Sequence, residues 1–321
     1  MSKQHNLRAN PKTVHRGFFA ASLAPVLTIE SGDTVTITTL SGNDEDLPAP
    51  EAGFTVLPEH RDVLAQVPKG EGPHLMTGPI AIKGAEPGDA LAVEIADIAP
   101  LQDWGWNLIK PGVGTLPEHF SKVRRIHVPI DRERGIVTMP WGLKLKTAPF
   151  FGIIGVAPPP DQGRQTSIIP RAFGGNIDNK HLGKGATLHL PVFNPGGLLS
   201  AGDGHALQGD GEVCVTAIET GLAATLRVTL TKRVQLKHPM SQPWAETATH
   251  VLTMAFDPDL DIAAQQALLQ MIKLIEERAG LSAEDAYSLC SVAADVHVTQ
   301  LVNVHKGIHV LLAKTALARV M

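Results

Sequence analysis

The sequence predicts a mainly β protein with an α+β portion: a jelly-roll-like β domain followed by a C-terminal region in which two helices pack on strands. Three observations predict it. Apolar and polar residues alternate in short runs through the first two-thirds of the chain, the period of half-buried strands. The 321 residues include 30 glycines and 24 prolines with no collagen-like repeat, punctuation that suits many strands joined by turns. Helical periodicity with both end signals occurs only from Asp259 onward.

Taken in order, Asp33–Leu40 places Val35 and Ile37 on one face and threonines on the other. Asp89–Ile98, entered by the turn Glu86-Pro87-Gly88-Asp89, aligns Leu91, Val93 and Ile95. Val123–Ile130, Ala186–Phe193 and Glu212–Glu219 continue the series, and Ala224–Leu236 is the longest strand predicted. Its Thr225, Arg227 and Thr229 face suits water, so the sheet reads as antiparallel with one solvated side. Asp259 or Asp261 caps a helix carrying Ile262, Ala267, Leu268, Met271, Ile272 and Ile275, and Gly280 stops it. Ser282-Ala283-Glu284-Asp285 opens a second helix reaching about Asp295. Val296–Lys314 returns to strand, with a break expected at Lys306-Gly307. No linker marks a domain boundary. The expected division is an N-terminal β-rich domain at 1–150 and an α+β domain at 151–321 carrying most of the site. The proline-rich stretch from Ala157 to Gly163 reads as a hinge or excursion loop.

Composition excludes several classes. Net charge is −4 without a basic block, so the field that attracts nucleic acid is missing. No apolar run approaches the roughly 18 residues of a membrane span, and Pro25 interrupts the short patch Phe18–Leu27 that a signal peptide would need intact. Cys214 and Cys290 give no disulfide framework, which suits a cytoplasmic location. Phosphate-loop, dinucleotide, His-Glu-x-x-His and Cys-x-x-Cys motifs are absent, and Ser200 lacks the first glycine of a nucleophile elbow. Cys214, between valines, reads as core filling.

One region differs from the rest. Gly174–Lys180 is followed, after a strand, by Ser200–Glu212, where three carboxylates, one imidazole and four glycines fall within thirteen residues. Such a run cannot stabilise a core by burial. Glycine lets backbone approach a ligand closely. Carboxylates beside histidine are the ligand set of a borderline metal such as zinc, or the acid–base set of a hydrolase. The same residues also make an ornate Asx-rich turn. In extended chain, Asp203 and His205 leave one face, as do Asn176 and Asp178, whereas Glu212 and Glu219 fall on opposite faces. His74, in the segment Gly72–Pro79, is a further candidate; His297, His305 and His309 read first as surface or strand residues.

The segments Pro25–Asp33, Thr77–Asp89, Gly174–Leu182 (GGNIDNKHL), Leu190–Gly196 (LPVFNPG) and Gly202–Glu219 (GDGHALQGDGEVCVTAIE) resemble the acetamidase/formamidase family, and the likeness covers nearly the whole chain. The resemblance implies a β-rich fold, a homo-oligomer, and a hydrolase of small linear amides that releases ammonia. It also implies a divalent metal, zinc or alternatively calcium. Carried over by residue, it implies a site of Asp178, Asp203, His205, Asp210 and Glu212, with Gln208 and Asn176 nearby. The expected roles are metal ligation by Asp178, Asp203 and His205, proton transfer by Asp210 and Glu212, and substrate binding by Asn176, Gln208 and His74. The backbone N–H groups of Gly204, Gly209 and Gly211 are candidates for an oxyanion hole. Leu207 and the segment Asn194–Ser200 depart from the family pattern beside the site, which leaves a γ-lactam or other cyclic amide as an alternative substrate. A non-hydrolytic cupin-like metal or ligand-binding protein is the alternative of another class, weakened by the lack of His-x-His. A content of only 4% aromatic residues fits a small polar substrate.

Overall fold

The computed structural model describes residues 2–317. Two large sheets face each other. The first has nine strands, ordered Gln4–Leu7, Thr34–Thr38, Leu222–Thr231, Ala90–Pro100, Thr187–Pro191, Trp244–Glu246, His250–Asp257, Lys306–Ala313 and Ala294–Gln300. The second has eleven, and Leu199–Leu207 lies at its centre between Phe150–Gly155 on one side and Leu75–Ile82 and Ile218–Glu219 on the other. The inward residues of both sheets meet in one core. Val35, Ile37, Leu91, Val93, Leu188, Leu226 and Val228 from the first pack against Met76, Ile80, Phe151, Ile153 and Leu199 from the second. The inward alternation of Leu91, Val93 and Ile95, and the exposed Arg227 and Thr229 of the neighbouring strand, are as the sequence predicts. Both sheets draw strands from either side of residue 150, so the segments 1–150 and 151–321 interleave.

Helix α1 (Pro58–Gln66) closes one edge, burying Val63 and Leu64 against Leu40 and Leu75. Near the end of the chain, α2 (Leu260–Ala279) and α3 (Ala283–Ala293) cover the C-terminal strands, with Ala267, Met271, Ile275 and Cys290 against Val251, Ala255, Ile308 and Val310. The strand His250–Asp257 is buried on both faces: Leu252 and Met254 meet the main core while Val251 and Ala255 meet the helices. Its apolar run Val251–Phe256, interrupted only by Thr253, follows from that. The caps are those the sequence predicts. Asp259 accepts from the amides of Asp261 and Ile262, Ser282 accepts from Asp285, and Gly280 takes the left-handed conformation. No helix among the described residues is long and apolar enough to cross a membrane.

Two matching turns fix strand starts. In Glu30–Asp33 and Glu86–Asp89 the buried aspartate accepts from the amide of the leading glutamate, at 3.0 and 2.9 Å. Each then reaches a distant segment: Asp33 takes the Lys3 amide and the His5 ring, and Asp89 takes the Arg233 amide and the Lys232 ammonium.

Several elements depart from expectation. The segment Glu212–Glu219 is a loop except for Ile218–Glu219, because Glu212 (φ 43°) and Val215 (φ 88°) turn left-handed. Strand Leu222–Thr231 stops where the Asp89 contacts begin a 3-10 turn at Arg233–Gln235, and Ala90–Pro100 is one residue longer than it. The break between the last two strands lies at 301–305, with Lys306 and Gly307 already paired in the strand. Ile262 is exposed, its expected place on the buried stripe taken by Ala263. The proline-rich stretch is an excursion ending in a 3-10 turn (Pro160–Gln162), pinned by Asn194 donating to the carbonyls of Ala157 and Pro158. Cys214 is half-buried in the loop and accepts from Asn107 Nδ2 at 3.2 Å, so it does not fill a core.

Candidate active site

The central strand of the second sheet builds the site. His205 lies directly opposite Phe150 on one neighbouring strand and Glu219 on the other. Asp203 precedes it by two positions. The strand Gly174–Asn176 pairs with Phe150–Gly155 and delivers Asp178, whose amide donates to the Gly152 carbonyl at 3.1 Å. Glu212 enters from the 208–217 loop. Asp178, Asp203 and Glu212 have φ of 53°, 51° and 43°. That region costs a non-glycine residue on the order of 1–3 kcal/mol, aspartate less than most. The bends aim all three carboxylates inward. Gly152 makes room for them: a Cβ there would lie 2.6 Å from Asp178 Oδ1 and 2.7 Å from His205 Nε2.

Four carboxylates surround one nitrogen. Glu219 Oε1 is 3.2 Å from His205 Nε2, Asp203 Oδ2 3.3 Å, Glu212 Oε1 3.8 Å and Asp178 Oδ1 3.9 Å. None makes a hydrogen bond to Nε2, and Asp178 Oδ1 has no partner either. The other edge of the imidazole is tied down. Gln208 Nε2 donates to the Asp178 carbonyl at 2.8 Å, which turns its Oε1 toward His205 Nδ1 at 2.9 Å. An oxygen there only accepts, so Nδ1 carries a hydrogen and, in neutral imidazole, Nε2 presents its lone pair to the carboxylates. Asn303 Nδ2 donates to Asp178 Oδ2; Ser41 Oγ and the Ala217 amide donate to Glu219. Phe150 packs edge-on to the imidazole.

Burial governs the electrostatics. It pushes Asp178 and Glu219 up to about 7, against the pull of His205. Burial and then the charge of Asp178 raise Glu212 well above the ordinary carboxylate value. Asp203 goes the other way: burial raises it, but His74 and His205 outweigh that and hold it below the usual range. His205 is raised well above its ordinary value because Glu219 and Asp203 overcome its desolvation. Four carboxylates in so dry a space cannot all ionise without cations beside them. The donor set (one imidazole nitrogen and several carboxylate oxygens, with an orphaned Nε2 and an orphaned Oδ1) therefore fits a divalent cation.

Of the residues expected at the site, Asp178, Asp203, His205 and Glu212 converge. His74 borders them, its Nε2 3.8 Å from Asp203 and its Nδ1 against Ser167 Oγ at 2.8 Å. Gln208 has both polar ends engaged on His205 and Asp178, which makes it a positioning residue. Asn176 donates to the Ile168 carbonyl, while its own carbonyl accepts from Asn303. Asp210 faces other partners, Lys180 and His297. The Gly211 N–H is taken by the Thr299 carbonyl at 3.0 Å and is not free for an oxyanion. Ser200 is buried against His15 Nε2 at 3.0 Å, and no carboxylate hydrogen-bonds the other ring nitrogen, so no triad forms. Glu219 is the main addition. Alternation along a continuous strand sets Glu219 on the face opposite Glu212, and the left-handed turns at Glu212 and Val215 remove that premise. Asn303, Ser41 and Gly152 carry no local sequence signal.

Comparison with known proteins shows the family. The model of the Acetamidase/Formamidase family matches residues 2–163 and 160–316. A formamidase of Methylophilus methylotrophus is 30% identical over 300 residues, 72% of this chain and 74% of that one. An acetamidase of Bacillus halodurans has a crystal structure with TM-score 0.82 at 32% identity, covering 97% of both chains. A predicted acetamidase/formamidase of Thermoanaerobacter tengcongensis gives TM-score 0.85 at 28% identity, covering 99% of this chain and 98% of that one.

Proposed function

From the premise that this chain belongs to the acetamidase/formamidase family and is an amidase that hydrolyses small amides, we propose that the His205 cluster is where the amide bond is cleaved. The cupin-like binding protein gives way to this reading. The observation that carries it is the buried Nε2 of His205, faced by four carboxylates and hydrogen-bonded to none of them.

His205 would hold a divalent cation with Asp203 and Glu219, whose ligand atoms lie within 4.8 Å of one another, and Asp178 Oδ1 faces the same nitrogen at 3.9 Å. When bound, such an ion polarises the amide carbonyl and makes water a stronger acid. Gln208 fixes which nitrogen of His205 faces the ion, and Asn303 holds the Asp178 carboxylate. Glu212 is the proton carrier. Its carboxylate, made more basic by burial, can accept a proton from attacking water at Oε1 and return it to the departing nitrogen, which leaves as ammonia rather than as an amide anion. Substrate approaches past Asp203 and His74. Their side chains are 12% and 16% exposed, against 0–4% for the other members of the cluster. His74 is lowered from its ordinary value mainly by burial, with Asp203 opposing, and its ring is placed to orient the incoming amide.

The test is ammonia release from formamide, acetamide and propionamide, with ring opening of a γ-lactam in parallel, before and after chelation and re-addition of zinc. Turnover of a linear amide is expected, lost at least about tenfold on chelation and restored by the ion. Full activity in protein stripped of metal would remove the cation from the mechanism. Turnover of the lactam alone would replace the linear substrate.

A further inference from the structure

A second group of histidines gathers at the edge of the C-terminal strands. His297 and His309 stand directly opposite each other on the last two strands, their rings nearly parallel (4°) with centroids 5.0 Å apart. His309 is fully buried. Its Nδ1 meets Thr299 Oγ1 at 2.8 Å, while its Nε2 has no hydrogen-bond partner. Asp210 Oδ2 is 3.5 Å from His297 Nδ1, and one ligand atom each from Asp210, His297 and His309 lies within 4.8 Å of the others. The His181 ring meets His309 edge-on at 5.1 Å. Lys180 Nζ sits 2.8 Å from Asp210 Oδ2, on a side chain with access to solvent.

A buried imidazole nitrogen left without a partner is destabilising, and native proteins seldom retain one without a use. Ligands of a tetrahedral zinc ion at ~2.1 Å stand roughly 3.4 Å apart, close to the present Asp210–His297 separation. We propose that Asp210, His297 and His309 form a second divalent-cation site of the zinc type, with His181 or water completing the set. Lys180 is the charge that balances Asp210 until the ion enters, and it then swings into solvent. The Gly211 amide already donates to Thr299 and the Leu301 amide to Gly211, both at 3.0 Å. An ion at Asp210 would therefore clamp the loop carrying Gln208 and Glu212 to the strand that carries His297.

The experiment is a zinc titration of the chelator-treated full-length protein against a chromophoric competitor, using wild type, His297→Ala and Lys180→Met. His297 is half-exposed, so its replacement is compatible with folding, and a thermal melt verifies this. Wild type is expected to take up one equivalent of zinc more than His297→Ala. Lys180→Met is expected to bind that equivalent several-fold more tightly, because the competing ammonium is gone. Equal zinc uptake by wild type and His297→Ala overturns the site, and so does unchanged affinity in Lys180→Met. Zinc held at His205 is common to all three proteins and cancels, so failure here leaves the proposed catalytic cluster untouched.

Discussion

Gly152→Ala is expected to abolish most amidase activity in a protein that still folds, with kcat/KM for its best small amide falling at least about 100-fold. The backbone of Gly152 is not left-handed, so alanine meets no torsional objection. The obstacle is space, since the new methyl would lie 2.6 Å from both Asp178 Oδ1 and His205 Cε1. The strand Phe150–Gly155 is paired on both edges and cannot retreat. Asp178 and the imidazole must therefore part, at a cost typical of overpacking, about 1–3 kcal/mol. Steady-state kinetics with a thermal melt on the same samples checks both. A fully active Gly152→Ala enzyme would show that the space between Asp178 and His205 is not where the reaction occurs.

His205→Ala is expected to be the more damaging change, lowering kcat by on the order of 1,000-fold, within the range seen when a positioned catalytic group is removed. It removes the only imidazole to which all four carboxylates turn, and with it the nitrogen ligand of the proposed ion. Breaking a buried ion pair from one side costs roughly 3–5 kcal/mol, so the melting temperature should fall as well. His205→Gln, which retains bulk and a polar tip, separates the two effects: stability recovers in part while activity and metal uptake do not. Activity of either variant within tenfold of wild type would sink the assignment.

Much of the sheet framework was legible because burial imposes period two on strands and the turns carry their own chemistry. Asp33 and Asp89 accept hydrogen bonds at places their Gly-Asp turns already suggest, and Asp259, Gly280 and Ser282 cap the helices by ordinary rules. Helix α1 was missed: nine residues with a weak apolar stripe leave little signal beyond Pro58 at its start. At the site, the Gly-Asp-Gly-His segment stands out by its density of glycine, carboxylate and imidazole, although an Asx-rich turn reads the same locally. Glu219 was hidden by a local rule applied across a non-local break, since alternation cannot register a left-handed residue at Glu212. Asn303 was invisible for another reason. It reaches Asp178 from 125 positions away, and only strand pairing creates that neighbourhood.

The left-handed backbone at Asp178, Asp203 and Glu212 has a consequence for anyone evolving this enzyme. At each position the acidic side chain is held against a local preference that glycine would relieve outright and asparagine would meet more easily than glutamate. Removing the negative charge would also ease repulsion within the cluster. Selection for heat resistance alone would therefore pull on the very positions that give the cluster its chemistry, enriching sturdy proteins that turn over nothing. Selection for turnover must accompany it at every round, because in this fold robustness and reactivity compete for the same backbone torsions.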